Sequence, residues 1–543
     1  MNIIDKYLTL SESKDQDKEK KIDSLLKEPR AKYLMEILSL GLNAYQGKDY
    51  QESLAYLALA NKLSGYESCR LLETIYVVGE TTGDFTEVLN AIVKFARQAF
   101  KSQRFDLALE AYSVIYAELF SRKYDPQGLD EDLSKEAEEA YREITGVCKK
   151  KIAYLLKKPT KKKDKINLAH VVGNLIDDTH SPSKLVKGFI NFHDYERFNL
   201  SVFSSEVYVK RDNPCFPVYN TLPSSYRRAP KLVSLMKEKK VKFFATPVDG
   251  SQTESALILA QELISNDIDI AIFHSSMASS IDCIVAGLKT VPLQIVLSHG
   301  GDVRSGGIDA VLYLNETPYE VNKDYWKKRG VKAFSLEGFF DVDEELKGTL
   351  PKKEEFNIPK EAKVLITASN HLEKRLSEEF LEVVVKILKE NKEAYYLVVG
   401  RGNLDKQKDL LQRAGVVERV IFTGPRQDAP LLIKMADVYL NEFPAGGGFT
   451  TLEAMAAKKP IAAMNYSQEH TQCIAANYIG KDLAIKSKDY QGYLELTNKL
   501  IRDEEYRLSI GEKMRKRYEE KHSPLEVVRD YEEVILKLYQ NAL

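Results

Sequence analysis

Near the C-terminus, Gly446-Gly447-Gly448 runs into Phe449, Thr450, Thr451, Leu452 and Glu453, within a segment spanning Asn441 to Pro460. Three consecutive glycines let a backbone approach a ligand closely, and a helix opening at Thr450 presents unpaired N–H groups with partial positive charge. Such an arrangement cradles a phosphate. The Thr450 and Thr451 hydroxyls can donate to a diphosphate, and Glu453, one turn in, can accept from ribose hydroxyls. Glycines alone would equally suit a flexible loop; a strand before them and a helix ending at Pro460 favour the cradle.

All eight histidines lie after residue 165, and His274, His299 and His371 each follow a strand-like run. That position is the functional edge of a parallel sheet. His299, flanked by Gly300 and Gly301, is the strongest of the three, although each also suits a structural position. No metal site is expected. The cysteines form no CxxC pair, Asp267-Ile268-Asp269 begins a strand instead of following one, and Asp177-Asp178 reads as loop capping.

The elements that must position these residues fall into three parts, as 543 residues allow. From about Ile22 to Lys157 apolar residues recur at helical spacing. Lys48-Asp49-Tyr50 followed by Leu54 recurs as Gly83-Asp84-Phe85 followed by Leu89, and again from Gln103-Arg104-Phe105, at irregular offsets. This suits tetratricopeptide-like helix pairs or a plain helical bundle. Lys157-Lys158-Pro159-Thr160-Lys161-Lys162-Lys163 then breaks the pattern and marks a boundary. Beyond it, strand-like runs alternate with helices: 168–172, 200–203, 241–245, 268–273, 293–297 and 310–313, then 364–367, 395–399, 420–423, 438–441 and 461–464. The fold class is therefore α/β, two Rossmann-like units preceded by an all-α TPR-like region, with domains at 1–160, 166–335 and 336–543; two successive units of this kind resemble the GT-B fold.

Composition narrows the function. Lys+Arg 79 against Asp+Glu 80 gives no basic excess for nucleic acid. Five scattered cysteines read as reduced thiols, the N-terminus lacks the apolar core of a signal peptide, and no run of about 18 apolar residues would span a membrane. A cytoplasmic protein is expected.

The segment Asn441 to Pro460 resembles the donor site of the O-GlcNAc transferase family in its SPINDLY-like forms, glycosyltransferase family 41. The shared pattern is a strand, Phe443-Pro444, a Gly-rich turn, Thr450-Thr451, an acidic residue and a proline seven residues later. The runs 419–426 and 436–438, and the N-terminal 268–272, 291–295 and 306–309, are similar too, so the resemblance covers roughly residues 166 to 543. It implies a UDP-sugar donor and no cofactor. It puts a diphosphate-binding lysine at Lys374, with Arg375 next door leaving the register open, a uracil-contacting loop at Pro425-Arg426, and a cleft-facing histidine at His180. Ser298-His299-Gly300-Gly301 departs from the family's Gly-Tyr-Pro-Gly-type loop.

Retaining transferases of family 4 carry two glutamates separated by seven residues across this loop, whereas here Ala445 stands where the partner of Glu453 is required and Glu442 comes three residues too early. Inverting transfer of a hexose or N-acetylhexosamine to a protein side chain is the expectation, with the helical region presenting the acceptor as the resembled family's repeats do. Removing residues 1–157 should then impair protein glycosylation more than UDP-sugar hydrolysis. The alternatives are a retaining family 4-like enzyme acting on a glycan or glycolipid, and a non-catalytic subunit serving a partner glycosyltransferase; a homo-oligomer is also compatible.

Overall fold

The computed structural model describes residues 31–63, 86–123, 131–155, 164–173, 180–206, 229–247, 251–298, 301–466 and 474–542, with isolated positions between them. The repeats containing Gly83-Asp84-Phe85, the basic run 157–163 and His299 lie wholly or mostly outside them. Helices α1 (Ala31–Gln46) and α2 (Tyr50–Leu63) form one hairpin, and α3 (Thr86–Lys101) and α4 (Phe105–Lys123) a second. Each is closed by an aromatic pair across its turn, Tyr45 with Tyr50 and Phe100 with Phe105, at centroid separations of 5.6 and 6.2 Å. The turns hold Lys48 and Gln103 at φ 64° and 57°. The repeated aromatic thus has a mechanical meaning: it locks the second helix onto the first.

A long helix, α5 (Glu131–Ile152), leads towards a seven-stranded parallel sheet: β1 (Ile166–Val172), β2 (Phe198–Ser204), β3 (Lys242–Ala245), β4 (Ile270–Phe273), β5 (Leu293–Ser298), β6 (Ala310–Tyr313) and β7 (Lys332–Ser335). Its order is β3-β2-β1-β4-β5-β6-β7. A second parallel sheet holds β8 (Lys363–Ser369), β9 (Ala394–Gly400), β10 (Val420–Gly424), β11 (Val438–Leu440) and β12 (Ile461–Ala462) in the order β10-β9-β8-β11-β12. Both sheets reverse direction of winding beside their first strand, between β1 and β4 and between β8 and β11. Ligands of doubly wound sheets sit in the crevice at that switch point. The expected run 461–464 splits: β12 stays in the sheet, while β13 (Met464–Asn465) pairs with β14 (Ile485–Lys486).

Side chains alternate across a strand, so the two faces of the first sheet join different cores. Ala169, Val171 and Phe203 share one buried cluster with Phe95, Tyr112, Tyr141 and Ile144 of the helical region and with Ile281, Ile284 and Val285 of α8 (Ser280–Leu288). Leu168, Val172 and Ile272 on the opposite face belong to the cluster that includes Val364, Ile366 and Leu452 of the second unit. The helical region is thus an apolar layer of the N-terminal Rossmann unit, tied further by Tyr141 Oη donating to the Met277 carbonyl at 3.0 Å and Tyr325 Oη to Glu138 at 2.7 Å. Selective loss of protein glycosylation on its deletion is not the expected result, because its removal uncovers this core.

Candidate active site

The Gly-rich loop leaves β11 and enters helix α10, which we assign to Phe449–Ala456, one residue earlier than the sequence suggested. Each glycine is needed for close packing. A Cβ on Gly446 would stand 2.1 Å from Asn441 Oδ1, one on Gly447 2.3 Å from Thr450 Oγ1 and 3.0 Å from an Arg375 guanidinium nitrogen, and one on Gly448 2.3 Å from Ile474. Below the loop, the Asn441 amide donates to the Gly447 carbonyl at 2.8 Å, and Gly447 N–H donates to Glu442 at 3.1 Å. Glu442 is fully buried, its other carboxylate oxygen has no hydrogen-bond partner, and burial pushes its pKa up against the pull of Arg375. Its role is to shape the loop from beneath.

The two threonines separate. Tyr439 Oη donates to Thr450 Oγ1 at 2.7 Å, which leaves the Thr450 proton to be donated outward at the helix start. Thr451 is fully buried and donates to the Gly447 carbonyl at 2.5 Å. Its expected bond to a diphosphate is corrected accordingly: that hydroxyl is spent on the loop. Neighbouring helical residues point about 100° apart, so only one of the pair can face the cleft.

Strand pairing brings the cation in. Because Val438 and Tyr439 pair with Leu365 and Ile366, the short helix after β8 (Leu372–Arg375) lies beside the loop after β11. It carries Lys374 and Arg375, and the Arg375 guanidinium is the one that approaches Gly447. In this cationic corner, burial first and then Arg375 and Lys374 lower the His371 pKa to about 4, so its imidazole is neutral at ordinary pH. Pro425 and Arg426 follow β10; Arg426 is clamped by Asp428 through two bonds of 2.8 and 2.7 Å, which fixes the loop.

Glu453 is 4% exposed and lies on α10, where a ribose-binding carboxylate was expected. Its Oε1 receives Lys184 Nζ at 2.6 Å, an ion pair that crosses from the N-terminal unit. Lys184 belongs to helix Ser181–Phe192, at whose N-cap sits the half-buried His180, so His180 stands one turn from this contact. Nothing local in the sequence marks Lys184 for such a role.

The switch point of the first sheet is filled differently. His170 Nδ1 is 2.7 Å from His274 Nε2, His170 Nε2 is 3.0 Å from His193 Nε2, and His193 Nδ1 is 2.7 Å from Glu532 Oε1. The same Glu532 oxygen accepts from Asp194 N–H at 2.8 Å, so it accepts from His193 as well. The tautomers then follow in sequence: His193 donates to Glu532, His170 to His193, and His274 to His170. Burial, then His274 and His193, hold the His170 pKa well below its usual value, keeping its ring neutral. Clustering of histidines was visible in the sequence; Glu532 was not. Of the acidic pairs, Asp178 caps the helix Pro230–Glu238 by accepting from Lys231 and Leu232 N–H, and Asp269 accepts from Asn167 N–H. Among the described residues no group of His, Cys, Asp or Glu side chains is arranged to hold a metal ion, and no helix is long and apolar enough to cross a membrane.

Two doubly wound parallel sheets, with a glycine cradle, a helix N-terminus and an arginine at the second switch point, define a GT-B-like glycosyltransferase architecture. Residues 350–517 match the family described as Glycosyl transferases group 1, so the second unit carries a glycosyltransferase group 1 domain and the protein is a glycosyltransferase. Among solved structures, the fold is similar to an O-GlcNAc transferase mutant from Thermobaculum terrenum, at TM-score 0.55 and 14% identity over 95% of this chain and 99% of that one. It is also similar to a glycosyltransferase from Rickettsia africae, at TM-score 0.50 and 13% identity over 70% and 99%. HepE of Anabaena, solved with UDP-glucose, is similar at TM-score 0.50 and 12% identity over 68% and 99%. A search of curated proteins found no match.

Proposed function

We propose that the protein transfers a hexose or N-acetylhexosamine from a UDP-sugar to a protein side chain, with inversion and without a metal. The observation that carries this reading is the juxtaposition, at one switch point, of the α10 N-terminus, the Thr450 hydroxyl and the Arg375 guanidinium around Gly447. Positive charge from a helix start and an arginine can stabilise the leaving nucleoside diphosphate, the work a metal does elsewhere. Lys374, on the same turn, is the second cation for that charge. The uridine would lie along the Pro425-Arg426 loop. The solved complex of HepE with UDP-glucose supports a uridine nucleotide, and the likeness to an O-GlcNAc transferase supports N-acetylglucosamine as the sugar.

Inversion is supported by Ala445, which is buried in the loop and carries no carboxylate, and by Glu442, whose side chain is tied beneath the glycines. An acceptor would attack from the N-terminal side, where His180 lies and where the His299 loop is expected. Buried free thiols at Cys148 and Cys283 fit a reducing, cytoplasmic setting. The deciding experiment is incubation of the full chain with a panel of nucleotide sugars, followed by NMR of the product anomer. Hydrolysis of no UDP-sugar would overturn the donor assignment, an α-linked product would favour the retaining family 4-like alternative, and complete inactivation by EDTA would contradict metal independence.

A further inference from the structure

The carboxylate expected to read the ribose is not held by its own domain. Glu453 is buried on α10, and its charge is met by Lys184 from the helix after β1, 269 residues away in sequence and 2.6 Å away in space. Lys184 is 7% exposed and also reaches Glu345 at 3.2 Å, while Lys187 reaches the other Glu345 oxygen at 3.3 Å and Asp341 O at 3.4 Å. Two lysines of the N-terminal unit thus face two glutamates, one in the connector between the sheets and one in the donor domain. The four formal charges cancel. Around them Phe340 of the connector stacks on Phe449, the first residue of α10, at 4.1 Å and 16°, and Lys184 lies 5.9 Å from the Phe340 ring centre. Burial opposes the charge on Lys184, but Glu453 and then Glu345 more than offset it, so the pair is ionic.

Only one oxygen of Glu453 is engaged by Lys184. A carboxylate has about four acceptor sites, so the remaining capacity can take a ribose hydroxyl while the ammonium stays in place. A lysine in this position does two things. It supplies the counter-charge for a buried carboxylate, and it fixes the rotamer that aims the free oxygen.

We propose that Lys184 is a positioning residue for the nucleotide ribose, acting through Glu453, so that ribose recognition is completed across the cleft only when the two Rossmann units are closed on each other. This rests on the donor-site reading of Glu453 given above. It makes the N-terminal unit a participant in donor binding and not only the acceptor side. Closure and donor affinity then become linked, since a contact made only in the closed arrangement contributes to affinity only there.

The test compares UDP with 2′-deoxy-UDP on the full-length protein by calorimetry. The wild type should prefer UDP by about tenfold, the scale of one hydrogen bond to a charged group. Glu453→Gln and Lys184→Met should each erase most of that preference, weakening UDP roughly tenfold while changing 2′-deoxy-UDP by less than about twofold. Lys184→Arg should restore part of it. A purely structural role for Lys184 predicts equal losses for both nucleotides, and that result overturns the proposal while leaving the ribose reading intact if Glu453→Gln still behaves as stated. Absence of any preference in the wild type overturns both. Should Lys184→Met fail to fold, Lys184→Gln, which keeps a donor for Glu453, should weaken UDP a few-fold and spare 2′-deoxy-UDP; equal losses again overturn the proposal.

Discussion

The two Rossmann units wind alike and use their switch points oppositely. Between β8 and β11 the crevice is lined by backbone, because three glycines remove side chains that would collide with Asn441, Thr450 and Ile474. Between β1 and β4 the corresponding place is packed by His170, His193 and His274 leaning on Glu532. The first arrangement leaves donors at the surface of a cradle; the second consumes its donors internally in a directed chain. Glu532 lies on the last helix, Pro524–Ala542, which therefore closes back onto the N-terminal unit and ties the chain's end to its first sheet. A common topology thus provides a place for chemistry, and the local side chains decide whether that place binds or braces.

The largest expected effect tests how the N-terminal unit is built. Removing residues 1–157 would expose Ile281, Ile284, Val285, Leu259 and Leu263, all fully buried. At roughly 1.5–3 kcal/mol for each such side chain, the loss rivals the whole stability of a domain. We expect an aggregated product without a cooperative thermal transition. A soluble fragment that melts cooperatively and hydrolyses UDP-sugar would show that the helical layer is dispensable to the fold. Next in size, Arg375→Ala should lower the transfer rate by about a hundredfold, the scale of losing one preorganised charge donor at the transition state. Lys374→Ala should cost less than about tenfold on the same grounds. The reverse ranking in steady-state assays would return the diphosphate to Lys374.

That ranking shows where the sequence was legible. Strands were readable because they are short apolar runs between breakers, and β7 escaped because it is an edge strand beginning at an exposed Lys332 with no buried residue. The cradle was readable because its signal is local: glycines, threonines and a glutamate within eight residues. Which of two neighbours faces the ligand, Thr450 or Thr451, Lys374 or Arg375, was not readable. It depends on helix phase, set by Asn441 and by the pairing of β8 with β11. Contacts such as Lys184 to Glu453 and His193 to Glu532 join residues 269 and 339 apart and leave no periodicity behind.

A moderate effect would sharpen the contrast between the two switch points. Glu532→Ala leaves the buried His193 N–H and the partly buried Asp194 N–H without their acceptor and should cost about 3 kcal/mol of stability. UDP affinity should be unchanged, because the relay braces the first sheet and the proposed nucleotide site is on the second. A parallel loss of UDP affinity in calorimetry would make the relay part of the site. The relay also has a pH signature. His170 of the relay and, apart from it, His522 at the C-cap of the helix Glu504–Lys521 are buried with pKa values depressed from 6.5, His522 to about 4, chiefly by burial. Above 6.5 both folded and unfolded chains hold these rings neutral; below it the unfolded chain takes up protons that the fold refuses. Stability should therefore fall progressively from about pH 6.5 towards about pH 4. A melting temperature constant between roughly pH 7 and pH 5 would contradict buried neutral histidines.

The smallest expected effect concerns the seam between the units. Phe449 stacks on Phe340 at 4.1 Å, placing an aromatic from the donor helix against the connector. Phe449→Leu keeps apolar volume and loses the ring stack, which is worth about 1 kcal/mol. If the stack only fills space, the midpoint of thermal unfolding should drop slightly and UDP binding stay constant. If it holds the closed arrangement in which Lys184 meets Glu453, UDP affinity should fall by a few-fold while 2′-deoxy-UDP stays nearly unchanged. The second pattern is the one expected, since Lys184 lies over the same Phe340 ring and loosening that ring frees the lysine that positions Glu453.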